Sequence, residues 1–115
     1  MKVEVIHAAF EDAPMTVALV EVGNVEIMGE TEALEYAFMR TNNIAGSWSR
    51  PAVFEYAGES IVNEDFSKDV EVLAELPVSK RTGETMGLRS TSVGDMMVLN
   101  GKTFKVASFG FEEIV

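Results

Sequence analysis

The sequence predicts a single α+β domain spanning 1–115: a curved antiparallel sheet, able to curl toward a partial small β-barrel, with one amphipathic helix at about 30–41. Three observations lead there. Segments with the period-two pattern of strands outnumber the one segment with helical periodicity. That helix does not alternate with strands, as βαβ units of a parallel sheet would require. Near the C-terminal end, Asn100-Gly101 marks a tight antiparallel hairpin.

The elements follow in chain order. In Lys2–His7 the charged Lys2 and Glu4 alternate with Val3 and Val5, the pattern of a half-buried strand. Thr16–Val22 is rich in β-branched residues and apolar on both faces, which suits a more central strand. Gly23-Asn24 then offers a hairpin turn, although its register sets Glu21 opposite Glu26. From Glu30 to Thr41 the apolar Ala33, Leu34, Ala37 and Phe38 form one stripe. Thr31 is the expected N-cap, the early glutamates and Arg40 match the helix dipole, and Asn42-Asn43 suits a left-handed C-cap.

A Gly/Ser loop around Trp48 leads to a short strand at Ala52–Tyr56, closed by Gly58. In Asp69–Leu76 the residues Val70, Val72, Ala74 and Leu76 share one face, so a one-sided strand runs to Pro77. Lys80–Ser92 reads as a polar loop. Counting outward from Asn100-Gly101 pairs Leu99 with Lys102 and Met97 with Phe104, and puts Leu99, Met97, Phe104 and Val106 on one core face. Asp95, after Gly94, is placed to bond nearby amides. Phe109 and Phe111 are expected on one face beside Gly110.

Two stretches carry a likeness. A helix ending Arg40-Thr41-Asn42-Asn43, then Arg89-Ser90-Thr91-Ser92-Val93-Gly94-Asp95 and a closing Phe109-Gly110-Phe111-Glu112-Glu113-Ile114, resembles the YodL-like family. That resemblance covers about a third of the chain with specific words. It implies a small bacterial, phage or mobile-element domain of unestablished role, with no catalytic residues to carry over. The Trp48 loop and the acidic Asn63–Glu75 stretch are longer than that pattern requires. Gly94-Asp95 before a strand and the tight hairpin are also similar to SH3- and Sm-like small barrels.

Composition narrows the function. With no cysteine, disulfide scaffolds, thiolate catalysis and zinc ribbons are excluded. No apolar run approaches a membrane span and no leader pattern opens the chain, so a cytoplasmic location is expected. The net charge of −10 opposes nonspecific nucleic-acid binding, but it is uneven: Met1–Met39 carries −7, whereas 80–105 carries +3. His7, the single imidazole, is expected as a partly buried histidine with a local hydrogen bond. Glu64, Asp65, Asp69 and Glu71 lack the rhythm of a calcium loop and read as a solvated face. Neither a nucleophile elbow nor a P-loop is present, and no cofactor is expected.

The residues with binding potential are Trp48, Arg50, Lys80, Arg81, Arg89 and Lys105. Trp48 either anchors a partner or folds back over the sheet; the cations either cluster with Lys102 into a patch or disperse. The expectation is a non-enzymatic accessory domain that acts through a protein partner or self-association, without membrane contact. The alternative is a small-barrel nucleic-acid binder using the basic loop and an exposed Trp48.

Overall fold

A computed structural model describes residues 1–23 and 29–115. The described elements are β1 (Lys2–His7), β2 (Met15–Glu21), α1 (Glu30–Arg40), β3 (Val53–Tyr56), β4 (Glu59–Val62), β5 (Val70–Val72), β6 (Met96–Leu99), β7 (Lys102–Val106) and β8 (Phe111–Ile114). Six strands form one sheet in the order β5-β2-β1-β6-β7-β8, and β3-β4 form a separate hairpin. Every pair is antiparallel. The fold is therefore α+β, as the patterning predicts. The sheet stays open, with β5 and β8 at its two ends, and does not curl into a barrel.

Period-two patterning decides what faces α1. Val3, Val5, Ala18, Val20, Met97, Leu99, Phe104 and Val106 are buried against Ala33, Leu34 and Ala37 of the helix, and Trp48 completes this core. The residues that alternate with them along the strands, among them Lys2, Glu4, Ile6, Leu19, Met96 and Val98, lie on the other face, half-buried or exposed. The Asn100-Gly101 hairpin has the expected register, with Leu99 opposite Lys102 and Met97 opposite Phe104. Both turn residues have positive φ, 53° and 77°, as a type I′ turn demands.

Several local readings are corrected. Gly29, not Thr31, is the N-cap of α1, with extended backbone and no side-chain cap. At the other end Asn42 and Asn43 are not left-handed, since Ala57 and Asn100 are the non-glycine residues of positive φ among those described. Instead Thr41 Oγ1 donates to the Ala37 carbonyl at 2.8 Å and Asn42 Nδ2 to that of Phe38 at 2.5 Å. These side chains satisfy carbonyls that a left-handed cap would otherwise serve.

The Asp69–Leu76 strand is cut to Val70–Val72. A register shift between Val5 and Ile6 makes Val17 an extra residue on β2, and its carbonyl accepts from both Leu73 and Ala74 N–H. That shared acceptor ends the ladder, although Ala74 and Leu76 stay half-buried in the predicted alternation. Gly110, at φ 74°, breaks the expected pairing of Phe109 and Phe111: Phe109 is 96% exposed, while Phe111 packs edge-on against Phe38. The hairpin read at Gly23-Asn24 lies outside the described residues.

Candidate functional site

The chain's conspicuous chemical groups converge beneath the sheet end, and their partners there are one another. Asp95 is fully buried. Its Oδ1 accepts from Ala8 and Ala9 N–H at 2.8 and 2.9 Å, and its Oδ2 from Ser92 N–H at 2.8 Å. Arg89 closes on the same carboxylate, Nη1 to Oδ2 and Nη2 to Oδ1, and reaches Glu11 with Nε and Nη2. Burial would raise the Asp95 carboxyl, but the guanidinium and the amides outweigh it and hold it at about 2. The Arg89 hydrogen bond likewise lowers Glu11.

Beside this pair, His7 is 2% exposed and its Nε2 lies 3.0 Å from Thr91 Oγ1, which donates to Thr41 Oγ1. Burial lowers the His7 pKa, partly countered by Asp95. His7 thus lies on the core face with a hydrogen bond, as alternation suggests, but it is fully rather than partly buried and its partner is distant in sequence, not local. The arrangement fastens β1, the C-terminal end of α1 and the segment before β6 to one another.

Trp48 belongs to the same construction. It is 2% exposed, its indole N–H donates to the Arg89 carbonyl at 2.9 Å, and its ring meets His7 edge-on. The exposed-anchor reading of Trp48 is therefore corrected: the indole folds back over the sheet. Asn63 fixes the Trp48 loop from β4, accepting from Ser47 N–H and donating to the carbonyls of Ser47, Arg50 and Pro51. Asp65 accepts from the consecutive amides of Ile44, Ala45 and Gly46, which lower its pKa against the raising effect of burial. Asp69 accepts from Tyr36 Oη, so two of the acidic residues weighed for calcium, Asp65 and Asp69, are drawn to separate structural tasks, while Glu64 and Glu71 are exposed. No cluster of metal-ligating side chains occurs among the described residues.

The basic residues do not assemble. Arg89 is inward and doubly paired. Arg50 donates to the Thr85 carbonyl and stacks over Phe54, 4.5 Å from its centroid, beside a cleft of about 360 Å³. Lys80 and Arg81 are exposed in the turn that the Val78–Thr85 bridge closes. Lys102 pairs with Glu30, and Lys105 is exposed on the sheet face away from α1.

A different surface is built at the β8 end, and single-residue motif reading missed it. Glu35 and Phe38 of α1, Val93, and the β7–β8 turn through Phe111 line an apolar groove of about 280 Å³. Val93 is 55% exposed, whereas its neighbours Arg89, Ser90, Thr91, Ser92 and Asp95 are all tied into hydrogen bonds. Gly94 has φ 97°, a conformation that strains any side chain, and a Cβ there would lie 3.1 Å from that of Ala9. Most of the Arg89–Asp95 motif is thus a frame that holds Val93 at the surface. The signal available in sequence was the Phe109-Gly110-Phe111 triplet, where glycine lets one aromatic turn outward and the other inward.

Along this groove runs an open edge. Ala107 N–H donates to the Gly110 carbonyl, which fixes the parity of the β7–β8 ladder. Glu112 and Ile114 therefore bond toward β7, and Phe111 and Glu113 direct N–H and C=O away from it. Among the described residues no strand pairs with that outer side. β8 carries no proline or lysine; its charges are the exposed Glu112 and Glu113, which guard the edge against like-charged strands.

No protein-family model matches the chain, and searches among curated proteins and among solved structures found no similar one. Among the described residues no helix is long and apolar enough to cross a membrane.

Proposed function

We propose that this chain is a non-enzymatic protein-interaction domain that takes up an extended segment of a partner along β8 by strand addition. The observation that carries the reading is the unpaired outer edge of β8 beside the Phe38–Val93–Phe111 groove. Free main-chain groups supply affinity in such a mode, and an adjoining pocket for alternate side chains supplies selectivity. The groups that chemistry would need point the same way, since His7, Asp95 and Arg89 are consumed by mutual contacts. The nucleic-acid alternative draws little support, with Trp48 buried and Arg89 paired. The reading sets the domain in a cytoplasm, and in the bacterial or mobile-element context that the YodL-like resemblance implies.

The test is selection from an unbiased random peptide library on the immobilised full chain, repeated with Glu113→Pro. Proline at 113 removes an outward N–H and leaves the β7 ladder intact. Binders that recognise the native chain and lose the variant are expected. An absence of binders, or binders indifferent to the substitution, contradicts strand addition at β8.

A further inference from the structure

We infer that the segment β8 receives is basic, with an apolar side chain opposite Phe111 and a lysine or arginine two residues away, opposite Glu113. This rests on the strand-addition reading and names the chemistry of its partner.

Geometry sets the spacing. Phe111 pairs with Val106 and Glu113 with Phe104, so both lie on the face that carries α1. An added strand repeats every second residue on that face, so the side chains it sets against Phe111 and Glu113 are separated by one residue. The first meets the groove of Phe38, Val93 and Phe111. The second meets the Glu113 carboxylate, on the face where Glu35 also lines the groove. No lysine or arginine lines the groove, and none makes an ion pair with Glu113 or Glu35 among the described residues. On the opposite face Glu112 has Lys105 as its cross-strand neighbour, so the unmatched charge of β8 is concentrated at Glu113.

Charge also opposes a second copy as occupant. Two β8 strands paired about a twofold axis at Glu113 would set the two Glu113 carboxylates directly opposite each other, on molecules that each carry −10. A basic extended segment reverses that repulsion. The partner chemistry is therefore an apolar residue spaced by one from a cation, in a stretch free of proline.

Two blocked heptapeptides test this on the full chain, readable in either strand direction: acetyl-Thr-Lys-Thr-Val-Thr-Lys-Thr-amide and its counterpart with both lysines replaced by glutamate. Binding is followed at the backbone amides of Phe111 and Glu113 by NMR. The lysine peptide should shift those amides and bind roughly three- to tenfold more tightly than the glutamate peptide. In Glu113→Lys the order should reverse, although the molecule keeps a large negative charge, which separates local pairing from general attraction. Glutamate-peptide binding equal to or tighter than that of the lysine peptide at these amides would overturn the basic-partner inference and leave strand addition standing. An unchanged preference in Glu113→Lys would overturn it too. If neither peptide moves the β8 amides while library binders remain sensitive to Glu113→Pro, the partner chemistry alone is wrong. If no binder is sensitive, strand addition itself fails.

Discussion

Arg89 grips Asp95 through two parallel hydrogen bonds, each 2.8 Å, on a carboxylate with no exposed surface. The same carboxylate accepts the amides of Ala8, Ala9 and Ser92. One side chain thus joins the end of β1, the segment before β6 and the Arg89 loop, and so sets the frame from which Val93 projects.

Asp95→Asn keeps the shape and removes the charge. The amide cannot accept from both guanidinium nitrogens and three backbone N–H groups, so Arg89 is left half-paired beside buried amides. The variant should lose about 3 kcal/mol of unfolding free energy, measured by urea denaturation. A loss below about 1 kcal/mol would mean that water replaces the carboxylate readily.

Of the four described groups with depressed pKa values, Glu11, Asp65, His7 and Asp95, the last two are the deeply buried ones and shape the pH dependence of stability most. His7 has a folded pKa below its ordinary value, because burial disfavours the imidazolium. Its contribution is therefore complete above the unfolded pKa of about 6.5 and declines as pH falls below it. Asp95, held at about 2, contributes above the unfolded pKa of about 3.9, and that share is lost as pH falls toward 2. The Asp95 step amounts to roughly 2 kcal/mol. Urea midpoints across pH 2 to 8 should show both declines, and His7→Gln should remove the upper one.

Trp48 is the chain's single tryptophan, so its fluorescence reports one site. A buried indole predicts blue-shifted emission and weak iodide quenching in the folded state. Trp48→Phe orphans the Arg89 carbonyl and leaves unfilled volume, at a cost of about 2 kcal/mol. Red emission with ready quenching would place the indole at the surface.

Asn63→Asp should be more damaging than its size suggests. The amide nitrogen that donates to Ser47, Arg50 and Pro51 carbonyls would become a carboxylate oxygen facing them. A loss of about 2–4 kcal/mol is expected by urea denaturation, whereas a solvent-exposed asparagine would show almost none.

The local pattern was legible where each residue's alternatives were few. Lys2 and Glu4 alternate with Val3 and Val5, Asn100-Gly101 needs positive φ at both positions, and Ala33, Leu34, Ala37 and Phe38 make one helical stripe; all three elements are present in the fold. Apart from the helix caps and the turn at Gly110, what failed depended on contacts distant in sequence. The Asp69–Leu76 strand stops because Val17, some fifty residues earlier, offers one carbonyl to two amides. Trp48 and Arg89 looked like binding residues because exposure is invisible in a loop sequence; the indole is taken up by the Arg89 carbonyl, and the guanidinium by Asp95 and Glu11. The β8 site was hidden for the same reason: Phe38, Val93 and Phe111 meet only after α1 packs across the open end of the sheet.

Hydrogen exchange at β8 tests strand addition most directly. In the free chain the amides of Phe111 and Glu113 should exchange fast, while those of Glu112 and Ile114 are protected by β7. With the lysine heptapeptide in excess, Phe111 and Glu113 should become protected, and Glu113→Pro should abolish the protection at Phe111. Fast exchange at both amides under saturating peptide, or protection of both before any peptide is added, would contradict an edge built to receive a strand.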